Sequence, residues 1–235
     1  MSVELGALII TAVGIGTFHT LIGVDHYIPF VALSKVNNWK YLRTMVIVLI
    51  CGIGHVLTSI LLGLLGIWLG TELGLLENIE STRGFIAVWF LIGFGLLYAL
   101  WGLWRAYKNK PHRHTLANGQ IVEHTHHAKE HQLEQEAAGK KHQQRAFWGL
   151  FIVLVLGPCE PLIPLMFSAS ALNALAVSAV VIVFSLCTIA TMILATTLVL
   201  KGINMLKLQK WERYGHLIAG ISLVLCGVAL LIFDI

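Results

Sequence analysis

The sequence predicts an all-α polytopic membrane protein: six transmembrane helices as two inverted three-helix repeats, with helices 1 and 4 broken. Three observations lead there. The 235-residue chain is 57% apolar and only 12% charged, roughly half the charge of a soluble domain, and its mean hydropathy is +0.80. Several apolar stretches exceed the ~20 residues that span a bilayer. Finally, Asp25-His26-Tyr27-Ile28-Pro29 recurs as Glu160-Pro161-Leu162-Ile163-Pro164, each copy placing a carboxylate four residues before a proline. Three spans per half set the copies in opposite orientations, the plan of proteins whose polar site lies at the midplane on broken helices.

The first span is expected at 7–33. It lacks a basic n-region and a small-residue cleavage site, so it reads as a retained span rather than a signal peptide. Span 2 covers 41–69, after the turn residues Asn37 and Asn38. Span 3 covers 85–104, after a polar connection at 74–81. The spans at 147–167, 174–200 and 216–233 form the second half. The chain thus divides into a first repeat (1–106), a polar loop (107–145) and a second repeat (146–235). Trp39, Trp104, Trp148 and Trp211 lie near span ends, where aromatic belts form.

Charge then orients the chain. The 1–2, 3–4 and 5–6 connections with their flanks hold 15 of the 16 basic residues, and the opposite side holds only Arg83. The positive-inside rule places both termini outside and the loop in the cytoplasm of a cell or inner membrane. Topology therefore explains the net charge of +4, and no nucleic-acid partner is expected; the expected partners are the lipid bilayer and an ion. All four cysteines, Cys51, Cys159, Cys187 and Cys226, fall in apolar spans with no CxxC, which argues against a disulfide framework or zinc ribbon.

The candidate site lies in span 1. His19, Asp25 and His26 on that span, with His55 on span 2, are ionisable groups at membrane depth; such groups are costly in lipid and mark ion or proton paths. Imidazole and carboxylate together suit divalent transition metals. On a straight helix His19 and His26 would stand roughly 10 Å apart along the axis. Either the helix breaks, or the two serve different positions. Gly23 offers a place to break, and Pro29 frees the carbonyl of Asp25. In span 4 Pro161 frees Gly157, Pro164 frees Glu160, and Pro158 adds a third interruption. Each freed carbonyl must find protein, water or an ion. Cys159 and Glu160 are the candidate polar groups of this second half. The competing reading makes His19 and His55 interhelical hydrogen-bonded glue and Asp25–His26 a local ion pair. Glu80 and Arg83 read as an exposed surface pair. In the loop, His112, His114, His124, His126, His127 and His131 are dense enough for weak, exchangeable metal capture.

His19-x5-Asp25-His26 on span 1, followed by Gly52-Ile53-Gly54-His55 on span 2, resembles the nickel/cobalt transporter superfamily, in its UreH-like or NicO-type branch similar to RcnA exporters. That resemblance implies that His19, Asp25, His26 and His55 bind the ion. The chain would export a divalent transition metal as its substrate, nickel or cobalt foremost and zinc as a further candidate, with protons as the candidate coupling ion. Gly157-Pro158-Cys159-Glu160-Pro161 resembles the Pro-Cys element of the CcdA family, distantly similar to LysE-type transporters. The CcdA family carries reducing equivalents across membranes with one cysteine in each half; here the repeat pairs Cys159 with Val24.

The leading expectation is therefore metal efflux. The alternatives are a CcdA-like thiol redox carrier and a membrane accessory protein for metalloenzyme maturation. No catalytic residue is expected, and the chain does not read as an enzyme. The Walker A sequence is absent, which excludes an ATP-driven pump within this chain, and HExxH is absent, which argues against an intramembrane zinc hydrolase.

Overall fold

A computed structural model describes residues 3–108, 112–115, 121–124, 144, 147–157, 159–205 and 214–233. The membrane body is helical. Helix α1 spans Val3–Ile22, followed by a 3-10 turn at Val24–His26 and α2 at Ile28–Val36. Helices α3 (Tyr41–Leu69) and α4 (Leu73–Lys108) complete the first part. In the second part α5 covers Phe147–Leu156, α6 Leu162–Ser170, α7 Ala174–Met205 and α8 Gly215–Phe233. Between the two parts, strand β1 (His112–Thr115) pairs antiparallel with β2 (Ile121–His124).

Five helices, α1, α3, α4, α7 and α8, are long and apolar enough to cross a membrane. The stretch expected as span 1 is α1, the turn and α2 in succession, and the stretch expected as span 4 is α5, a non-helical break and α6. Both breaks anticipated from the sequence are present. The expected connection at 74–81 is not: α4 starts at Leu73 and runs through it. The true connection is short, with Gly70 in the left-handed conformation (φ 63°) closing α3. Chain continuity there places Glu80 and Arg83 on the first turns of a long helix rather than on a surface loop.

Helix α4 packs along α8, α1 along α7, and α3 against α6 and α7. The α4–α8 contact is close because glycines form it: Gly95 and Gly102 on α4, Gly220 and Gly227 on α8. A Cβ added at Gly95 would lie 3.0 Å from the Gly220 carbonyl oxygen, and one at Gly102 would lie 2.6 Å from the Leu217 nitrogen. Small residues of this kind let transmembrane backbones approach where lipid offers no hydrophobic drive between helices. Outward-facing Trp68, Leu97, Leu186 and Leu225 are exposed, as expected of side chains that meet acyl chains. Trp104 and Trp148 are exposed near helix ends, as a belt requires, whereas Trp39 is buried in the core with Phe30, Leu33 and Val48.

Candidate functional site

The first break interrupts the helix between α1 and α2. The Gly23 amide still donates to the His19 carbonyl (2.9 Å), closing α1. Gly23 then takes an extended conformation (φ −68°, ψ 92°) and the chain enters the 3-10 turn. That φ is open to any residue, so glycine is needed here for space: an added Cβ would lie 2.5 Å from His26 Nδ1 and 3.0 Å from Asp25 Oδ1. Pro29 sits in the first turn of α2, where its missing N–H costs no helical bond. It starts a new helix segment rather than kinking an old one.

This break removes the separation a straight helix would impose. The rings of His19 and His26 lie edge to face with centroids 5.1 Å apart, and His26 and His55 likewise at 5.0 Å. One ligand nitrogen from each of the three falls within 4.8 Å of the others. His26 and His55 are buried, and the Nε2 of half-buried His19 is buried with no hydrogen-bond partner. Asp25 stands elsewhere: its Oδ1 is 3.2 Å from His26 Nδ1, on the side of the ring away from His55. It supports His26 and is not among the grouped ligand atoms.

The second break is organised by prolines. A helical carbonyl at residue i accepts from the N–H of i+4, so Pro158 deprives Leu154 and Pro161 deprives Gly157. Each orphan is taken by a side chain from another helix. His55 Nδ1 donates to the Leu154 carbonyl at 3.0 Å. Arg83 Nη2 reaches the Gly157 carbonyl at 3.1 Å, the Val155 carbonyl at 3.3 Å and Thr58 Oγ1 at 3.0 Å. Arg83 Nη1 meets Glu80 Oε1 at 2.6 Å, with Glu80 0% and Arg83 20% exposed. The expected exposed pair is therefore a buried pair clamped onto the break. The Glu160 carbonyl is not free as expected, because the Ile163 amide donates to it at 3.3 Å in the opening turn of α6. The Cys159 amide donates to Ser59 Oγ at 3.2 Å, and Cys159 is fully buried.

A cavity of about 440 Å³ lies between the two breaks. His19, Asp25 and His26 line it from the first, Gly157, Glu160 and Pro161 from the second. Leu91 and Leu230 form another wall, and they share a buried cluster with Cys226 against which Val24 packs. A thiol thus stands beside each break: Cys159 within the second, Cys226 of α8 behind the first. The sequence reading paired Cys159 with Val24 and gave Cys226 no role beyond its place in an apolar span. All four cysteines are free thiols. Pro158, His126, His127 and His131 lie outside the described residues, as do the side chains of His112, His114 and His124. Arg83, Glu80, Thr58 and Ser59 are the site residues that sequence reasoning missed. The available signal was the set of carbonyls freed by proline, which required donors nearby without naming them.

The model of one family, described as the cytochrome c biogenesis protein transmembrane region, matches residues 29–229. No curated protein and no solved structure matches the chain. The match overturns the nickel/cobalt permease resemblance and the metal-efflux function, with its nickel and cobalt cargo, that rested on it. That resemblance leaned on four ionisable residues of spans 1 and 2, and His19, Asp25 and His26 precede the matched range. The Pro-Cys element at Cys159 lies inside it, in agreement with the CcdA-type alternative. Since the match takes in most of the sequence, from α2 to α8, the chain belongs to the cytochrome c biogenesis protein transmembrane region family.

Proposed function

We propose that this chain carries reducing equivalents across the membrane in cytochrome c maturation, using Cys159 and Cys226 as its thiols. The observation that carries this reading is that Cys159 lies within the second helix break, while Cys226 belongs to the buried cluster against which Val24 of the first break packs. In the oxidising direction, one thiolate attacks the disulfide of a partner protein and releases a partner thiolate. The second thiolate then attacks the mixed disulfide. The partner leaves as a dithiol with two electrons and two protons, and Cys159–Cys226 is left as a disulfide. A donor dithiol on the other face regenerates the pair by the reverse exchange. The two sulfurs are free and buried in separate clusters in this conformation, so bond formation requires the two clusters to approach by closure of one half on the other.

The packing supports six spans in two inverted halves. Exchanging the halves maps the contact of α2 with α8 onto that of α6 with α4, and α2 with α7 onto α6 with α3; all four pairs are in contact. Closure is then a rocking of one half on the other. The distribution of basic residues supports external termini and a cytoplasmic loop. The experiment is alkylation trapping in native membranes. Cys159 and Cys226 should cycle between alkylatable and disulfide-bonded forms when an oxidised partner is added, and Cys159→Ser should abolish both the cycle and cytochrome c maturation. Persistent free thiols throughout, with full maturation in the serine variant, would refute it.

A further inference from the structure

The histidine cluster does something that thiol exchange does not require. His26 Nδ1 lies 3.0 Å from the Gly23 carbonyl oxygen, and His55 Nδ1 lies 3.0 Å from the Leu154 carbonyl oxygen. A carbonyl only accepts, so both Nδ1 atoms carry the proton and donate. In the neutral rings both Nε2 atoms are then bare lone pairs. They face each other at 3.3 Å in a buried site. Two lone pairs at that distance repel unless a cation or a proton lies between them. The Nε2 of His19 is a third buried nitrogen without a partner.

We propose that His19, His26 and His55 hold a resident tetrahedral transition-metal ion of the imidazole-preferring class, represented by Zn(II), with its fourth position open to the cavity. The 3.3 Å separation fits this geometry. Two nitrogens at ~2.05 Å from one ion and 3.3 Å from each other subtend about 107° at the metal, close to the tetrahedral angle. The three ligand atoms lie within 4.8 Å of one another, so an inward movement of at most about 1.5 Å brings any pair to that value. No hydrogen bond holds His19 Nε2 back. The Nδ1 bonds to backbone carbonyls are the supports that metal-bound histidines ordinarily have, fixing tautomer and ring direction. Asp25, against His26 Nδ1, supplies a negative charge beside the cation. Three ligands with an open fourth position are the form of a reactive rather than a purely structural site, and His19 and His26 line the cavity. The inference goes beyond the thiol reading and does not rest on it, since the ligand set contains no cysteine.

The test uses the full chain in detergent, with the six loop histidines named above and His142 of the same loop replaced by asparagine so that they contribute no binding. The protein is stripped with a chelator and titrated with Zn(II). We expect one ion per chain, a metal-dependent rise in Tm, and an absorption-edge spectrum of nitrogen donors near 2.0 Å. His26→Asn and His55→Asn should each weaken binding more than about 100-fold, beyond the loss typical of a mere supporting partner. If either fails to fold, His19→Asn decides, because its Nε2 makes no bond in the protein. Cys159→Ser should bind as the parent does, which separates failure here from failure of the redox reading. Three results would overturn the proposal: no bound ion in the loop-substituted parent, undiminished binding in His19→Asn, or a proton shared between His26 and His55 by nitrogen NMR in Zn(II)-saturating buffer.

Discussion

Arg83→Met tests whether the second break is stabilised by one guanidinium. The substitution keeps most of the stem and removes the fork. It leaves the fully buried Glu80 carboxylate without its 2.6 Å partner, and breaking a buried pair from one side costs about 3–5 kcal/mol. Arg83 is 20% exposed, so water recovers some of this and the lower end applies. The Val155 and Gly157 carbonyls also lose their donor, at about 1 kcal/mol each. The total is about 5 kcal/mol. The double variant Glu80→Gln/Arg83→Met removes the stranded charge but not the orphaned carbonyls, so about 2 kcal/mol of loss should remain. Equilibrium unfolding in mixed micelles measures all three proteins. An Arg83→Met loss below about 1 kcal/mol, the range of a solvent-exposed pair, would show that the clamp is not what stabilises the break.

Gly220→Val places side-chain atoms against the Ala99 backbone across the α4–α8 contact; the loss should reach about 3 kcal/mol or more, seen as a lower Tm, and an unchanged Tm would contradict the packing. Gly23→Ala brings a methyl to within 2.5 Å of His26 Nδ1; we expect about 1–3 kcal/mol of destabilisation and an altered His26 ring signal by NMR, and an unshifted signal would count against the close approach of His26 to the break. Ser59→Ala removes the acceptor of the Cys159 amide; about 1 kcal/mol should be lost and Cys159 should alkylate faster, whereas an unchanged alkylation rate would mean the bond does not hold the break closed.

The breaks were legible because proline chemistry is local. Pro161 has no N–H, so it cannot give the Gly157 carbonyl a helical i+4 hydrogen bond. Its partner was not legible: Arg83 lies in another span, and the polar run Glu77–Arg83 reads as a connection when only composition is weighed. The helix continues through it because the buried Glu80–Arg83 pair and the released carbonyls satisfy one another, a tertiary fact. The gathering of His19 and His26 was legible only as one of two alternatives, since Gly23 could break the helix or leave it straight. Asp25 was grouped with the histidines from adjacency in sequence, but the 3-10 turn sends it to the far nitrogen of His26. The family was misread for a related reason. Titratable residues weigh heavily in a hydrophobic sequence, while a single Pro-Cys element weighs little when the matching position in the other half is Val24. Cys226 reaches that position through space, from α8.

The central claim is that Cys159 and Cys226 pass reducing equivalents from one face of the membrane to the other. Its most direct test reconstitutes the chain in vesicles with a membrane-impermeant dithiol trapped inside and a disulfide-containing protein outside. The account predicts that the external disulfide is reduced only when the chain is present, and that Cys159→Ser and Cys226→Ser each stop it. Reduction that continues unchanged in either serine variant would contradict the account.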